Sequence, residues 1–141
     1  MSDENPIRIR GLDHVVLRVR DLERSLHFYT QVLDAREERR VDRAGLIQLR
    51  AGAQLIDLVP LDGPIGRAGG RGPESEGRNV DHFALRLAAF DETRLRTHLE
   101  KHGIEPGEVN TRYGADGFGP SMYIQDPDGN VVELKGPPQP R

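Results

Sequence analysis

One seven-residue pattern occurs twice in this chain of 141 residues. "DHVVLRV" occupies residues 13–19 and "DHFALRL" occupies residues 81–87, with Asp, His, Leu and Arg at the same places in both. Each copy is rich in Val or Leu and is typical of a β-strand. Because an internal repeat means that one supersecondary unit is built twice, it restricts the possible folds more than any other feature of the sequence.

The same succession of elements follows each copy of the repeat. A helical pattern begins after Asp21 and another after Asp91, and aspartate is a favoured N-cap residue. Three strand-like stretches follow each helix, at 36–42, 45–50 and 54–60 and then near 107–113, 120–125 and 130–135. The chain therefore reads as an α+β protein of two tandem βαβββ modules. We expect one domain over residues 1–141, with modules at about 11–61 and 80–136 and a glycine-rich linker at about 62–79.

The composition limits the classes of function. Hydrophobic residues make up 35% and charged residues 30% of the chain, as in a globular domain with a modest core. Aromatic residues are only 5% and the net charge is −3, which argues against nucleic-acid binding. The opening "MSDENP" does not resemble a signal peptide, and no apolar run approaches the length of a membrane span. We therefore expect a cytoplasmic protein that binds neither nucleic acid nor membrane.

Each module carries one histidine and one carboxylate at equivalent places. His14 and His82 stand second in the repeated strand, and Asp57 and Glu133 lie in the last strand of each module. The chain has no cysteine, so metal ligands would be imidazoles and carboxylates, which suit a divalent Mn, Fe, Co, Ni or Zn ion. A single histidine on an apolar strand is more often structural, but two matched pairs favour a metal site.

Three segments resemble those of the vicinal oxygen chelate superfamily: "LDHVVLRVRDLERSLHFYTQVLD", "VDHFALRL" and "YIQDPDGNVVEL". That superfamily includes glyoxalase I, fosfomycin resistance enzymes, extradiol dioxygenases and bleomycin resistance proteins. The resemblance covers about residues 11–136 and implies paired modules that form a cupped, barrel-like mixed sheet around a metal ion. The superfamily pattern places ligands at His14, His82 and Glu133, and glyoxalase I has a further carboxylate at the place of Asp57.

The resemblance implies three alternative functions. The first is a glyoxalase-like lyase or isomerase in which a divalent metal stabilises oxyanion or enolate charge on a small substrate. In that enzyme Glu133, or in second place Asp57, would move a proton. The second is an extradiol-type dioxygenase that uses Fe(II), and the third is a metal-free protein that binds a small molecule such as an antibiotic.

The resemblance also implies a homodimer whose metal site is completed across chains. His14 and Asp57 of one chain would then face His82 and Glu133 of the other. The sequence leaves open the alternative that the two modules pair within one chain.

Other polar residues have two interpretations each. Tyr123 stands two residues after Ser121, on the strand before Glu133, and is either a catalytic side chain or a core aromatic. Arg18 and Arg86 either meet an anionic substrate or are charges at a sheet edge, and the edge interpretation is favoured.

The helices and loops add two further expectations. His27, His98 and His102 are expected on solvated helix faces. The loops at 62–79 and 107–119 are expected to determine which substrate is bound.

Overall fold

The computed structural model describes residues 5–139, and the eight strands and two longer helices that the sequence predicted occur in the predicted order. The strands are β1 (His14–Val19), β2 (Arg36–Val41), β3 (Leu46–Ala51), β4 (Gln54–Pro60), β5 (His82–Arg86), β6 (Asn110–Gly114), β7 (Gly117–Gln125) and β8 (Val131–Lys135). The helices are α1 (Leu22–His27), α2 (Pro64–Arg67) and α3 (Glu92–Lys101). No helix in this part of the chain is long and apolar enough to cross a membrane.

The strands form two four-stranded mixed sheets with the same topology. Their strand orders are β1-β4-β3-β2 and β5-β8-β7-β6. In each sheet the first and last strands of the module run parallel, and the remaining neighbours are antiparallel. The α+β fold of two tandem βαβββ modules is therefore confirmed.

Strand register gives the two modules matching positions. Val16 pairs with Asp57 in the first sheet, and Ala84 pairs with Glu133 in the second. Each carboxylate thus lies beside the residue two places after a repeat histidine, on the same face of the sheet. We call this surface of each sheet its open face, because the opposite face packs into the core.

Both helices that follow the repeated strands begin as predicted. The Asp21 carboxylate accepts a hydrogen bond from the Arg24 amide at 3.2 Å, and Asp91 accepts one from Arg94 at 3.2 Å. The helix after β1 differs from a regular helix, since α1 continues directly as a π-helical segment, Phe28–Val32. This wider turn buries Phe28, Tyr29 and Val32 together in the core.

One hydrophobic core joins the two modules. It combines fully buried side chains of the first module, such as Leu17 and Leu58, with Met122 and Leu134 of the second. Polar contacts reinforce the junction at the turn after β7. The Tyr29 hydroxyl donates to Asp126 at 2.6 Å, and both groups are buried. The core therefore fixes the modules back to back through their helices and inner faces, and both open faces stay outside it.

Candidate metal centre

The repeat histidines lie at the start of β1 and β5, on the open faces. Their side chains are 45% exposed for His14 and 36% exposed for His82. Each ring is held by the residue before it, since His14 Nδ1 lies 2.7 Å from Asp13 and His82 Nδ1 lies 2.7 Å from Asp81. A proton shared between Nδ1 and a carboxylate leaves Nε2 as the lone-pair nitrogen, which is the arrangement of most metal-binding histidines.

The hydrogen bond to Asp13 also raises the pKa of His14, and the charge of Asp57 adds to this effect. A proton and a metal ion compete for the same imidazole nitrogen. Metal binding at His14 is therefore expected to weaken as the pH falls.

The two carboxylates are buried and are held in the same way as each other. Asp57 is 2% exposed and Glu133 is 7% exposed. On the neighbouring strand β3, Gln48 Nε2 donates to Asp57 Oδ2 at 3.1 Å. On β7, the Ser121 hydroxyl donates to Glu133 Oε2 at 2.8 Å. In each module one carboxylate oxygen is thus fixed by a side chain of the adjacent strand, while the other is not.

The second oxygens test whether this donor set fits a metal. Asp57 Oδ1 is buried and accepts no hydrogen bond from residues 5–139. Glu133 Oε1 lies 3.4 Å from His82 Nε2. A buried charged oxygen without a partner is costly, by about 1–3 kcal/mol or more, and a bound cation removes that cost. Two neutral imidazole nitrogens and two carboxylates suit a divalent ion, so the residues fit.

The four candidate ligands form two half-sites in one chain. The first half-site is His14 with Asp57, and the second is His82 with Glu133. Among the described residues, no group of three or more His, Asp or Glu side chains is placed to hold one metal ion. The back-to-back packing of the modules explains this separation, because it turns both open faces away from the core.

The second half-site has polar and aromatic neighbours. Tyr123 lies edge-on to His82, with ring centroids 5.4 Å apart. Arg112 of β6 lies over the same tyrosine ring, with Cζ 4.3 Å from the centroid. Sequence reasoning placed Ser121 and Tyr123 near Glu133 but missed Arg112. The only signal for Arg112 in the sequence was a cation within a strand-like stretch. The structure places it opposite Gly119 and thus on the open face.

The two arginines that the repeat brings to the open faces have partners. Arg18 donates to one backbone carbonyl of α2, that of Gly66 at 2.9 Å, and to carbonyls of the loop after α2, at 3.3 Å to Gly69 and 3.1 Å to Arg71, and also to Gly70. Arg86 forms an ion pair with Asp116 at 2.7 Å. Both arginines are therefore engaged in the protein's own structure, which agrees with the favoured interpretation.

The three helix histidines lie together between α1 and α3. Ring centroids are 5.8 Å apart for His27 and His102 and 4.9 Å apart for His98 and His102. His98 Nε2 lies 2.8 Å from the Val32 carbonyl, so it donates to that oxygen. Desolvation, followed by the charges of the two neighbouring histidines, lowers the pKa of His102. His27 and His98 are exposed as expected, whereas His102 is half-buried, contrary to the expectation of a solvated face.

Comparison with known proteins connects this fold to enzymes. Residues 11–134 match the Glyoxalase/Bleomycin resistance protein/Dioxygenase superfamily. The chain is 31% identical over 126 residues to the fosfomycin resistance protein FosX of Mesorhizobium japonicum, covering 89% of this chain and 85% of that protein. It is 29% identical over 124 residues to a catechol-2,3-dioxygenase of Bacillus subtilis.

The relatives differ in how much of their own length is matched and in their sequence identity to this chain. The match to the dioxygenase covers 87% of this chain but only 40% of the length of that relative. Among solved structures, FosX of Listeria monocytogenes complexed with Mn(II) and sulfate has a TM-score of 0.66. Its sequence identity is 20%, and the match covers 92% of this chain and 91% of that one, so this likeness concerns the fold.

Proposed function

The chain belongs to the glyoxalase/bleomycin resistance protein/dioxygenase superfamily, and on that basis we propose that it is a divalent-metal-dependent, glyoxalase-like enzyme of small oxygenated substrates. The observation that carries the proposal is the matched pair of half-sites. Each offers a histidine with Nδ1 already bonded and a buried carboxylate with one oxygen held. The orphaned Oδ1 of Asp57 supports a cation as the missing partner.

We assign the metal ligands to two copies of the chain. His14 and Asp57 of one copy and His82 and Glu133 of the other would hold one Ni, Co, Mn, Zn or Fe ion. When bound, such an ion acts as a Lewis acid that stabilises negative charge developing on substrate oxygens. A homodimer is favoured because each open face leaves its histidine exposed, and Val16 beside His14 is 43% exposed.

The proposed proton transfers belong to this chain's own side chains. Glu133 is the first choice as general base, because Ser121 fixes Oε2 and leaves Oε1 as the oxygen that would serve either the metal or a proton. Asp57 is the second choice. Tyr123 presents its ring beside His82, and its hydroxyl would orient a substrate oxygen. The substrate-determining role of loops 62–79 and 107–119, and the cytoplasmic location, stay predictions from the sequence.

Metal content tests this proposal directly. Protein purified without an affinity tag or added metal is expected to carry about one Ni, Co, Mn or Zn per chain by mass spectrometry. The matched variant His14→Ala/His82→Ala should carry none. A wild-type protein that neither contains nor takes up a divalent metal would contradict the proposal and favour the metal-free binding protein.

A second candidate function is an extradiol-type dioxygenase. The likeness to the catechol-2,3-dioxygenase favours it, although the match spans less than half of that relative. Two histidines and Glu133 would then suffice as iron ligands, and Asp57 would be free for other roles. Two results would place this candidate first. The purified protein would contain iron, and protein loaded with Fe(II) under anaerobic conditions would consume oxygen when catechol is added in aerated buffer.

A further inference from the structure

Resting on the proposed function, we propose that Arg39 is a positioning residue of the first half-site and acts on Asp57 through Gln48. Arg39 sets the direction of the Gln48 side-chain amide. The amide then holds Asp57 Oδ2 and leaves Oδ1 as the single oxygen for a metal ion. Asp57 is therefore a monodentate ligand whose geometry is set from two strands away.

Arg39, Gln48 and Asp57 form one row across the first sheet. Arg39 of β2 pairs with Gln48 of β3, and Gln48 pairs with Asp57 of β4. Directly opposite residues share a face of the sheet, so the three side chains lie together on the open face. Arg39 Nη1 donates to Gln48 Oε1 at 3.0 Å, and Gln48 Nε2 donates to Asp57 Oδ2 at 3.1 Å. The row therefore connects an exposed cation to a carboxylate that is 2% exposed.

The groups at the two ends of the row favour only one direction of the amide between them. A guanidinium has only donors, and an ionised carboxylate has only acceptors. The Gln48 amide carries its acceptor and its donors on opposite sides, so it satisfies both neighbours only with Oε1 towards Arg39 and Nε2 towards Asp57. The reversed amide would set donor against donor and acceptor against acceptor. Arg39 thus excludes the direction in which Gln48 would repel Asp57.

A β-bulge in β2 determines which side chain stands opposite Gln48. The register of β2 against β3 shifts immediately before Arg39, so Glu38 is an extra residue in the strand. In a regular strand Glu38 would occupy the place opposite Gln48, and its acceptors would draw the amide donors away from Asp57. Glu38 is instead held by Arg50, which donates to its carboxylate at 3.0 Å and 2.9 Å. The bulge therefore sets a donor beside Gln48 where an acceptor would otherwise stand.

The fixed amide also explains why the two oxygens of Asp57 differ. Oδ1 is buried and accepts no hydrogen bond from residues 5–139, whereas Oδ2 accepts from Gln48. Donors on both oxygens would satisfy the carboxylate and would compete with a cation for it. Because Arg39 holds the other end of the amide, Gln48 stays on one oxygen, and the second oxygen is left for a cation.

A series of substitutions at Arg39 tests this inference, because two physical effects predict opposite signs. Loss of a positive charge near a dication would by itself strengthen metal binding, whereas loss of the donor beside Gln48 would weaken it. Lysine has only donors, glutamine has both kinds of group, and glutamate has only acceptors. Calorimetric titration with the metal found in the purified protein is expected to give Arg39→Lys within about threefold of wild type. Arg39→Gln should bind about threefold to tenfold more weakly, and Arg39→Glu about tenfold or more.

Arg40 provides the matched control. It is the next exposed arginine of β2, and it pairs with Glu37 at 2.8 Å rather than with Gln48. Arg40→Glu changes the charge by the same amount as Arg39→Glu and should not weaken metal binding. Unchanged or stronger binding in Arg39→Glu would overturn the inference, and so would an equal loss in Arg40→Glu. Since both arginines are exposed, the variants are expected to fold.

A measurement without metal separates this inference from the proposed function. Nuclear Overhauser contacts between the Gln48 side-chain amide protons and Asp57 Hβ report the direction of the amide in metal-free protein, and Gln48→Leu assigns the amide signals. The contacts are expected in wild type and in Arg40→Glu, and they should be absent in Arg39→Glu. If wild type takes up no metal, the proposed function fails, and this measurement alone decides the role of Arg39. Contacts that persist in Arg39→Glu would show that Arg39 does not direct the amide.

Discussion

At the scale of single residues, the aspartates that precede the repeat histidines have a defined role. Asp13 and Asp81 are 91% and 82% exposed, so they contribute little to the core. Their carboxylates nevertheless fix the tautomer and the orientation of both rings. The Asp-His pair occurs twice in the sequence, but the role of each aspartate follows only from the 2.7 Å contacts in the structure.

Replacement of these aspartates is expected to weaken metal binding without unfolding the protein. Asp13→Asn and Asp81→Asn should each lower divalent-metal affinity by about tenfold to a hundredfold, because the amide cannot hold the Nδ1 proton as strongly. Calorimetric titration with the metal found in the purified protein measures the loss. Asp62→Asn, an exposed carboxylate of the linker, serves as the control. Equal affinity in all three variants would show that Asp13 and Asp81 have no such role.

At the scale of secondary structure, local signals predicted the elements well. The N-caps Asp21 and Asp91 and the strand alternation are short-range features, and the structure reproduces them. Two elements were missed. The π-helical segment depends on the burial of Phe28 and Tyr29, which is tertiary packing rather than helix propensity. The short helix α2 begins at Pro64, a favoured first helical residue, within a linker whose glycines concealed it.

The contact between the π-helical segment and the turn after β7 is expected to stabilise the junction of the modules. Tyr29→Phe removes the 2.6 Å hydrogen bond to Asp126, whose burial raises the cost of losing a donor. The free energy of unfolding in urea should fall by about 1.5–3 kcal/mol. Tyr113→Phe is a matched control, because Tyr113 is 72% exposed at the tip of the β6–β7 hairpin. Equal stability of the two variants would contradict the role of this contact.

The histidine cluster between α1 and α3 is expected to make stability depend on pH. His102 takes up a proton less readily in the folded protein than in the unfolded chain, because its pKa in the folded protein lies below the ordinary histidine value of 6.5. The unfolded state therefore binds more protons below that value, and the free energy of unfolding falls as the pH drops through it. His102→Gln should reduce this fall when urea unfolding is compared at about pH 7.5 and about pH 5.5.

His14 provides a control of opposite sign. Its pKa is raised in the folded state, so its contribution to stability is present at low pH and is lost as the pH rises. His14→Gln should therefore steepen the loss of stability towards acid. Identical pH profiles for wild type and His102→Gln would show that the cluster does not titrate as described.

At the scale of the whole molecule, the decisive feature is the direction in which the open faces point. The repeat identified the candidate ligands one by one, because equivalent positions follow from strand register. It left open how the modules pair, since that depends on which faces form the common core. The core joins the helices and inner faces of both modules, and the half-sites of one chain lie apart among its described residues.

A shared site makes a distinctive prediction for mixed dimers. His14→Ala and His82→Ala proteins should each bind little metal alone. When subunits are mixed, each mixed dimer places both changes in one site and leaves the other site with all four ligands. Metal content should therefore return to about one ion per mixed dimer, measured by mass spectrometry after separation. Mixing wild type with the double variant should give the reverse, a loss at both sites. Failure of the single variants to complement each other would favour a site within one chain.

Arg18 binds the loop after α2 through main-chain carbonyls, so the path of that loop does not depend on the identity of its side chains. Arg18 holds main-chain oxygens, which every amino acid possesses, and it lies on the strand that begins with His14. Residues of the loop can therefore be substituted while the loop keeps its path beside the open face. Glycines restrict this freedom: a Cβ would come within 1.9 Å of the Pro60 carbonyl at Gly66 of α2 and within 2.6 Å of the Arg18 guanidinium at Gly69, and Gly70 has a positive φ of 77°. The main chain around the open face can thus stay the same while the side chains beside it differ.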